Sequence, residues 1–161
     1  MSIGRRPDAS PLTSTTVDVF AIDASEAEWK ILVLRRGPAT RCPGAWETVH
    51  GRIEPGEKPE DAAVRELREE TGLDAERLYV IAVQPFYMRP LGVIDFAVVY
   101  AAFVRPAPVT LAEEHAEHEW LAPEEARRRF VWPRERQALD EIVMLLAGGS
   151  AGPVEDVLRI F

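Results

Sequence analysis

The chain has 161 residues, of which 47% are apolar and 29% charged, and its formal net charge is −8. These values are typical of one soluble globular domain, and no apolar run approaches the roughly 20 residues that a membrane-spanning helix needs. The excess of acids argues against a nucleic acid polymer as partner, but a divalent cation could still bring a small polyphosphate to an acidic pocket.

The N-terminal segment, residues 1–11, contains two arginines without an apolar stretch behind them. It is therefore predicted to be a flexible arm rather than a signal peptide, followed by a single domain over residues 12–161. The one cysteine, Cys42, cannot form an intramolecular disulfide, so we expect a cytoplasmic protein with no membrane partner. A nucleophilic Cys42 is an alternative, but no histidine lies near it in the sequence.

Strand and loop signals dominate the first third of the chain. β-Branched residues alternate with others in one stretch, and a short apolar run follows it, which predicts two strands joined as a hairpin. Glycine and proline cluster on both sides of a third, shorter strand. The predicted elements are strands at 15–22, 30–34 and 46–50, the hairpin loop at 23–28, and loops at 36–44 and 51–58.

The clearest helix is predicted over residues 59–71, because Pro59 suits a first turn, strong helix formers follow, and Gly72 suits a left-handed cap. The strand at 93–104 is too apolar to be an edge. Strands and helices are mixed without strict alternation, which predicts a mixed α/β fold with helices on the faces of a mixed sheet. The other predicted elements are strands at 78–86 and 117–121, helices at 123–129 and 133–146, and a tail at 154–161 that either docks or frays.

Three carboxylates lie on one face of the predicted helix, because Glu66, Glu69 and Glu70 are three and four residues apart. Like charges at this spacing repel, and a hard divalent cation such as Mg²⁺ would relieve the repulsion. Glu57 could join them from the preceding loop, or form a bidentate pair with Arg65 that fixes this loop. A solvated acidic surface is the alternative. The other face of the helix is apolar and is predicted to be buried: Ala63, Val64 and Leu67.

The spacing of the residues around this helix resembles the Nudix box at all nine specified positions. The matching residues are Gly51, Glu57, Arg65, Glu66, Leu67, Glu69, Glu70, Gly72 and Leu73. The resemblance implies an α/β/α sandwich with a mixed central sheet, and Mg²⁺-dependent hydrolysis of a nucleoside diphosphate linked to another moiety, with Mn²⁺ as a substitute metal.

By position, the resemblance makes Glu66, Glu69 and Glu70 metal ligands, with Glu57 as a further ligand or as the partner that orients Arg65. Gly51 and Arg65 are expected at the substrate, where Gly51 allows close approach of the backbone. The general base is left open: Glu69 or Glu70 within the box, or Glu114 in a later acidic stretch that is otherwise interpreted as a solvated loop.

Shorter segments resemble bacterial dihydroneopterin triphosphate pyrophosphatases and related deoxynucleoside triphosphate hydrolases. These are residues 46–51, Glu114-His115 with Trp120-Leu121, and Trp132 with residues 136–138. They imply a nucleoside or pterin triphosphate as the substrate. A planar heterocycle needs aromatic walls and triphosphates need cations, although each such residue could instead be core or surface. The candidates are Trp46, Phe86, Tyr87 and Trp132, and Arg35, Arg36, Arg41 and Arg89.

Other functions remain open from the sequence. Dinucleoside polyphosphates, oxidised deoxynucleotides, ADP-ribose and nucleotide sugars are alternative substrates. A non-catalytic domain that senses nucleotides is a second class, although that reading predicts a degraded box, and a coincidental match on a structural helix is a third. A homodimer is possible, since Nudix domains often pair, but no residue identifies an interface.

Overall fold

The computed structural model describes residues 11–161, and a seven-stranded mixed sheet forms its centre. Apart from Pro11, the predicted arm lies outside the described residues, so the division into an arm and one domain stays a prediction. The elements are β1 (Leu12–Asp23), β2 (Lys30–Arg36), β3 (Trp46–Glu47), β4 (Val49–Arg52), α1 (Pro59–Thr71), β5 (Ala75–Met88), β6 (Val93–Val104), β7 (His115–Leu121), α2 (Pro123–Arg129), α3 (Pro133–Leu146), a 3-10 turn (Gly152–Val154) and α4 (Glu155–Leu158).

The sheet follows the order β3-β2-β1-β6-β5, with β4 added to β1 and β7 added to β2. Strands β1 and β6 run parallel and the other pairs are antiparallel, so the predicted mixed sheet is confirmed. The apolar strand β6 lies between β1 and β5, where both of its edges are paired. All three predicted helices are confirmed with their bounds, because each begins at a proline that fixes its first turn.

Helices cover both faces of the sheet. Helix α1 buries Ala62, Ala63 and Leu67 completely, in one cluster with the side chains of β1 and β6. Helices α2 and α3 pack on the opposite face, where Phe130 and Leu139 are fully buried. Gly72 ends α1 at φ 73°, and its N–H donates to the carbonyl of Arg68, as the cap prediction required. The α/β/α sandwich is therefore confirmed.

The sheet divides close to its middle. Strands β1 and β2 pair only at Ile22 with Ile31 and at Asp23 with Lys30, and then each takes a different neighbour. The single strand predicted at 46–50 is wrong for this reason, because its residues serve both halves as two strands separated by Thr48. The buried Thr48 hydroxyl donates to the carbonyl of Val19 at 2.7 Å. The backbone therefore crosses the division at a fixed point.

A buried carboxyl group supports this crossing. Glu135 on α3 is 1% exposed, and its Oε1 accepts a hydrogen bond from the Thr48 N–H at 3.2 Å. Its Oε2 has no partner among residues 11–161. The pKa of Glu135 is raised to about 8, chiefly by burial and also by the nearby Glu47 carboxylate, against the opposing effect of Arg134. The carboxyl group is therefore mainly protonated in the folded chain at neutral pH.

We expect Glu135→Gln to remove part of the pH dependence of folding. Between the ordinary glutamate pKa and 8, the folded chain holds a proton that the unfolded chain has released, so stability falls as pH rises through this window. The wild-type free energy of unfolding should therefore drop by at least about 1 kcal/mol more between pH 5 and pH 8 than that of the variant. Urea unfolding at both pH values measures this difference, and parallel behaviour of the two proteins would contradict it.

The C-terminal tail docks on the edge strand β5. The Ile160 N–H donates to the carbonyl of Leu78 at 2.8 Å, and the Leu78 N–H donates to the carbonyl of Phe161 at 3.1 Å. The Tyr79 hydroxyl donates to Glu155 at 2.9 Å. Of the two predicted alternatives for this tail, docking is therefore the one found. Among the described residues, no helix combines the length and apolar character needed to cross a bilayer.

Candidate active site

Arg65 organises the carboxylates at the exposed side of α1. Its Nε and Nη2 donate to the two oxygens of Glu57, each at 2.8 Å, which is the bidentate pair that the sequence predicted. Its Nη1 donates to Glu66 at 2.8 Å and to Glu69 at 3.2 Å, and Nη2 also donates to the Arg52 carbonyl at 2.7 Å. These bonds to Arg65 hold the pKa of Glu57 down at about 2, so Glu57 stays ionised.

This arrangement separates the predicted roles of Arg65 and Glu57. All five guanidinium N–H groups have partners within the protein, so Arg65 has no free donor for a substrate. Both oxygens of Glu57 are likewise engaged, since the Glu54 N–H donates to the second one at 2.9 Å. Of the two roles that the sequence left open for Glu57, orientation of Arg65 is the one that fits this geometry.

Gly51 makes room for a carboxylate. A Cβ added to residue 51 would overlap the carboxyl carbon and Cγ of Glu66. The same carboxylate accepts the Arg52 N–H at 3.2 Å. The absence of a side chain at Gly51 therefore allows Glu66 to lie against β4, which is a steric role. The expected position of Gly51 at the substrate stays a prediction.

The third helix glutamate lies in a different, buried environment. Glu70 is 2% exposed, and its Oε2 lies 2.9 Å from Nε2 of His115 at the start of β7. Glu114 lies 3.9 Å from the same nitrogen, and one ligand atom from each of the three residues falls within 4.8 Å of the others. The pKa of Glu70 is raised to about 7, chiefly by burial and also by the Glu114 and Glu66 carboxylates, against the opposing effect of His115.

The donor set around Glu70 suits a divalent cation. Two carboxylates and an imidazole converge where burial, and to a smaller extent the neighbouring carboxylates, disfavour ionisation of Glu70. Nδ1 of His115 is buried and has no partner within residues 11–161. Sequence reasoning named Glu70 and Glu114 but gave His115 no role, although it directly follows Glu114. His115 joins the site through its contact with Glu70, which brings β7 against α1 and which no local sequence pattern reveals.

A cleft of about 630 Å³ adjoins the carboxylates. Arg36 connects the two regions, because its guanidinium donates to Glu47 at 2.9 Å in the cleft and lies close enough to Glu114 to be stabilised by its charge. The Gly37 N–H donates to the Glu114 carbonyl at 2.8 Å. The cleft is lined by Thr16, Arg36, Arg41, Cys42, Glu47, His50, Arg52, Phe86, Tyr87, Met88, Trp132, Pro133 and Arg134.

The predicted aromatic and cationic residues divide between this cleft and other places. Three of the predicted aromatics and two of the predicted arginines line it: Phe86, Tyr87, Trp132, Arg36 and Arg41. Arg35 and Trp46 do not. They lie opposite each other in the β2–β3 ladder and share one face of the sheet, whereas their chain neighbours Arg36 and Glu47 line the cleft on the other face. Arg35 pairs instead with Glu117 at 2.7 Å, and Trp46 packs under the guanidinium of Arg129. Arg89 is exposed and also lies outside the cleft lining.

Known proteins resemble this chain in sequence and in fold. The family model of the NUDIX domain matches residues 13–142. The CTP pyrophosphohydrolase of Escherichia coli (strain K12) is 31% identical over 133 residues, which cover 78% of this chain and 91% of that protein. The solution structure of the E. coli ORF135 protein superposes with a TM-score of 0.70 and 26% identity, covering 91% of this chain and 99% of that one.

The chain therefore belongs to the Nudix family. A further relative, the octanoyltransferase of Myxococcus xanthus, is 34% identical over 126 residues, or 72% of this chain. This chain therefore spans about a third of the length of that relative, because the match covers 32% of it. The family and the fold expected from the nine residues of the box are thus confirmed.

Proposed function

We propose that this protein is a Mg²⁺-dependent pyrophosphohydrolase whose substrate is a nucleoside or pterin triphosphate. The observation that carries the proposal is the continuity of two sites. The carboxylates of α1 and Glu114 meet a cleft with aromatic walls, and Arg36 and Arg52 connect them. A substrate with a diphosphate at one end and a planar ring at the other would fill both sites.

Three carboxylates of α1 would hold the metal: Glu66, Glu69 and Glu70. Their oxygen atoms match the preference of Mg²⁺, and Mn²⁺ would be accepted by the same ligands together with His115. When bound, such a cation would offset the charge of the diphosphate and lower the pKa of water, so that the water could be deprotonated for attack on phosphorus at neutral pH. The nucleotide-like substrate would thereby be accommodated by a protein with an overall negative charge.

Side chains of the protein would position the carboxylates at the metal and remove a proton from the attacking water. Arg65 holds Glu66 and Glu69 in fixed orientations, so their charges are placed before a substrate arrives. The side chain of Glu114 is 44% exposed, and it lies at the junction between the carboxylates and the cleft. We assign to Glu114 the removal of the proton from the attacking water, with the 59% exposed Glu69 as the alternative base.

A turnover screen tests this proposal. The panel holds deoxynucleoside triphosphates, dihydroneopterin triphosphate, diadenosine polyphosphates, ADP-ribose and nucleotide sugars. We expect Mg²⁺-dependent hydrolysis of a triphosphate to the monophosphate and pyrophosphate, and loss of this activity in EDTA. Hydrolysis of the other compounds would give two nucleotides, or a nucleoside monophosphate and a sugar phosphate, without pyrophosphate. Glu114→Gln should lower kcat by about 10²-fold or more, as expected for a lost general base. Glu113→Gln, its exposed neighbour, is the matched control and should keep wild-type turnover.

Each outcome of this screen has a definite meaning. Wild-type kcat in Glu114→Gln would exclude a catalytic role for Glu114. Turnover of only ADP-ribose or nucleotide sugars would replace the proposed substrate class. If nothing is hydrolysed but calorimetry detects binding of a nucleotide in Mg²⁺, the protein is a nucleotide sensor and the proposed activity is wrong.

A further inference from the structure

A buried carboxylate organises the base of the cleft. Asp18 on β1 is completely buried. Its Oδ1 lies 2.6 Å from Nδ1 of His50, and its Oδ2 accepts a hydrogen bond from Nη1 of Arg134. Both partners line the cleft, with side chains 31% and 21% exposed. A charge inside the protein thus fixes two polar side chains that a ligand in the cleft can reach.

Arg134 is held on three sides. Besides its bond to Asp18, its guanidinium lies 5.1 Å from the centroid of the Phe86 ring, and its backbone carbonyl accepts the side-chain amide of Gln84 at 2.9 Å. Its Nε and Nη2 have no hydrogen-bond partner within residues 11–161, and neither nitrogen is enclosed by protein. Because Arg134 lines the cleft next to Phe86, its unpaired N–H groups are available to a ligand there, on a side chain that the protein already holds in place.

The charge balance indicates what these groups bind. The carboxylate of Asp18 offsets the charge of Arg134, so this part of the cleft favours a neutral hydrogen-bond acceptor over a phosphate. Arg41 and Arg52 differ, because the ion pairs found within residues 11–161 include neither of them. The unpaired arginines thus suit phosphate oxygens, while Arg134 suits a carbonyl oxygen on a ring that stacks beside Phe86.

We propose that Arg134 selects a heterocycle with a keto oxygen, and that the protein prefers 6-oxopurine or 4-oxopteridine nucleotides to 6-aminopurine nucleotides. Arginine donates to the keto oxygen and adjacent ring nitrogen of guanine, whereas an amino group there would bring N–H against N–H. Glutamine, with one donor and one acceptor, is the side chain that complements adenine. The inference rests on the proposed function, since it names the substrate class of the same site.

A minimal substrate pair tests this inference. Deoxyinosine triphosphate and deoxyadenosine triphosphate differ at ring position 6, by a keto against an amino group, with the accompanying N1 proton. We expect the wild-type kcat/KM to favour the inosine nucleotide by about tenfold to hundredfold. Arg134→Gln should abolish or reverse this ratio, and Arg134→Lys should lower it while keeping a cation beside Asp18. Arg128→Gln, on the exposed side of α2, should leave the ratio unchanged.

A binding experiment separates this inference from the proposed hydrolysis. Calorimetry in EDTA measures the affinity for deoxyinosine monophosphate and deoxyadenosine monophosphate without metal or turnover. Tighter binding of the inosine compound, lost in Arg134→Gln, supports keto selection even if no triphosphate is hydrolysed. Equal affinities, a preference for adenine or cytosine nucleotides, or a ratio that Arg134→Gln leaves unchanged would overturn it. Thermal unfolding of the variants confirms that each is folded.

Discussion

Replacing Glu70 by glutamine is expected to lower kcat by about 10²–10³-fold or more while leaving the fold at least as stable at pH 7.5. The substitution keeps the shape of the side chain and removes the charge that a metal would need. Because burial raises the pKa of Glu70 to about 7, ionisation of Glu70 above that pH lowers the free energy of unfolding. Glutamine does not ionise, so the variant should lose kcat while its free energy of unfolding at pH 7.5 stays the same or rises.

Two measurements check this prediction for Glu70. Initial rates at saturating Mg²⁺ give the loss of kcat, and thermal unfolding with and without Mn²⁺ shows whether a metal still stabilises the fold. The wild type should gain several degrees in Tm with the metal, and Glu70→Gln should gain little. Glu76→Gln, an exposed glutamate paired with Arg105, is the matched control. A variant that retains both activity and the metal-induced shift would show that Glu70 is not a ligand.

The second large effect is expected from the smallest possible substitution. Gly51→Ala adds one methyl group where the Glu66 side chain already lies, so either Glu66 or β4 must move. We expect a loss of about 10²-fold in kcat/KM, because displacement of a positioning group by about 1 Å has effects of this size. The free energy of unfolding should fall by about 1–3 kcal/mol as a result of overpacking.

The chain offers a matched control for Gly51→Ala. Gly148 has no atom within 4 Å of an added Cβ, and its φ is not positive, so Gly148→Ala should leave both activity and stability close to wild type. Urea unfolding and steady-state kinetics are compared for the two variants. A double variant that also carries Glu66→Asp tests the mechanism, because the shorter side chain should restore part of the lost stability. Wild-type kcat/KM and stability in Gly51→Ala would show that catalysis does not depend on the position of Glu66 against β4.

The sequence predicted best the features that depend on residues close in the chain. Helix α1, its proline start, its glycine cap and the pair of Arg65 with Glu57 all depend on spacings of at most eight residues. Sequence patterns are less informative where the strand register decides which face of the sheet a side chain occupies. Arg35 and Arg36 are neighbours in sequence, yet only Arg36 lines the cleft, because successive side chains of a strand point to opposite faces.

Contacts between distant segments were beyond the reach of sequence patterns. The bond between Glu70 and His115 joins α1 to β7, and Asp18 meets Arg134 through the packing of β1 against the start of α3. Neither Asp18 nor His50 lies in a stretch of unusual composition, so no local signal marks them. The break at Thr48 has the same origin, since it depends on Val19 and Glu135, which are far away in sequence.

The division of the sheet gives the site an unusual mechanical layout. One half, β1 with β4, holds Arg52 beside Glu66, and the other half, β2 with β3 and β7, holds Arg36 beside Glu114. Strands β1 and β2 pair directly at only two residue pairs, Ile22 with Ile31 and Asp23 with Lys30. The two halves of the sheet are therefore joined at the end of β1 that lies away from the site. A ligand that contacts both halves would therefore connect β1 and β2 at the site, where the two strands have no hydrogen bonds to each other.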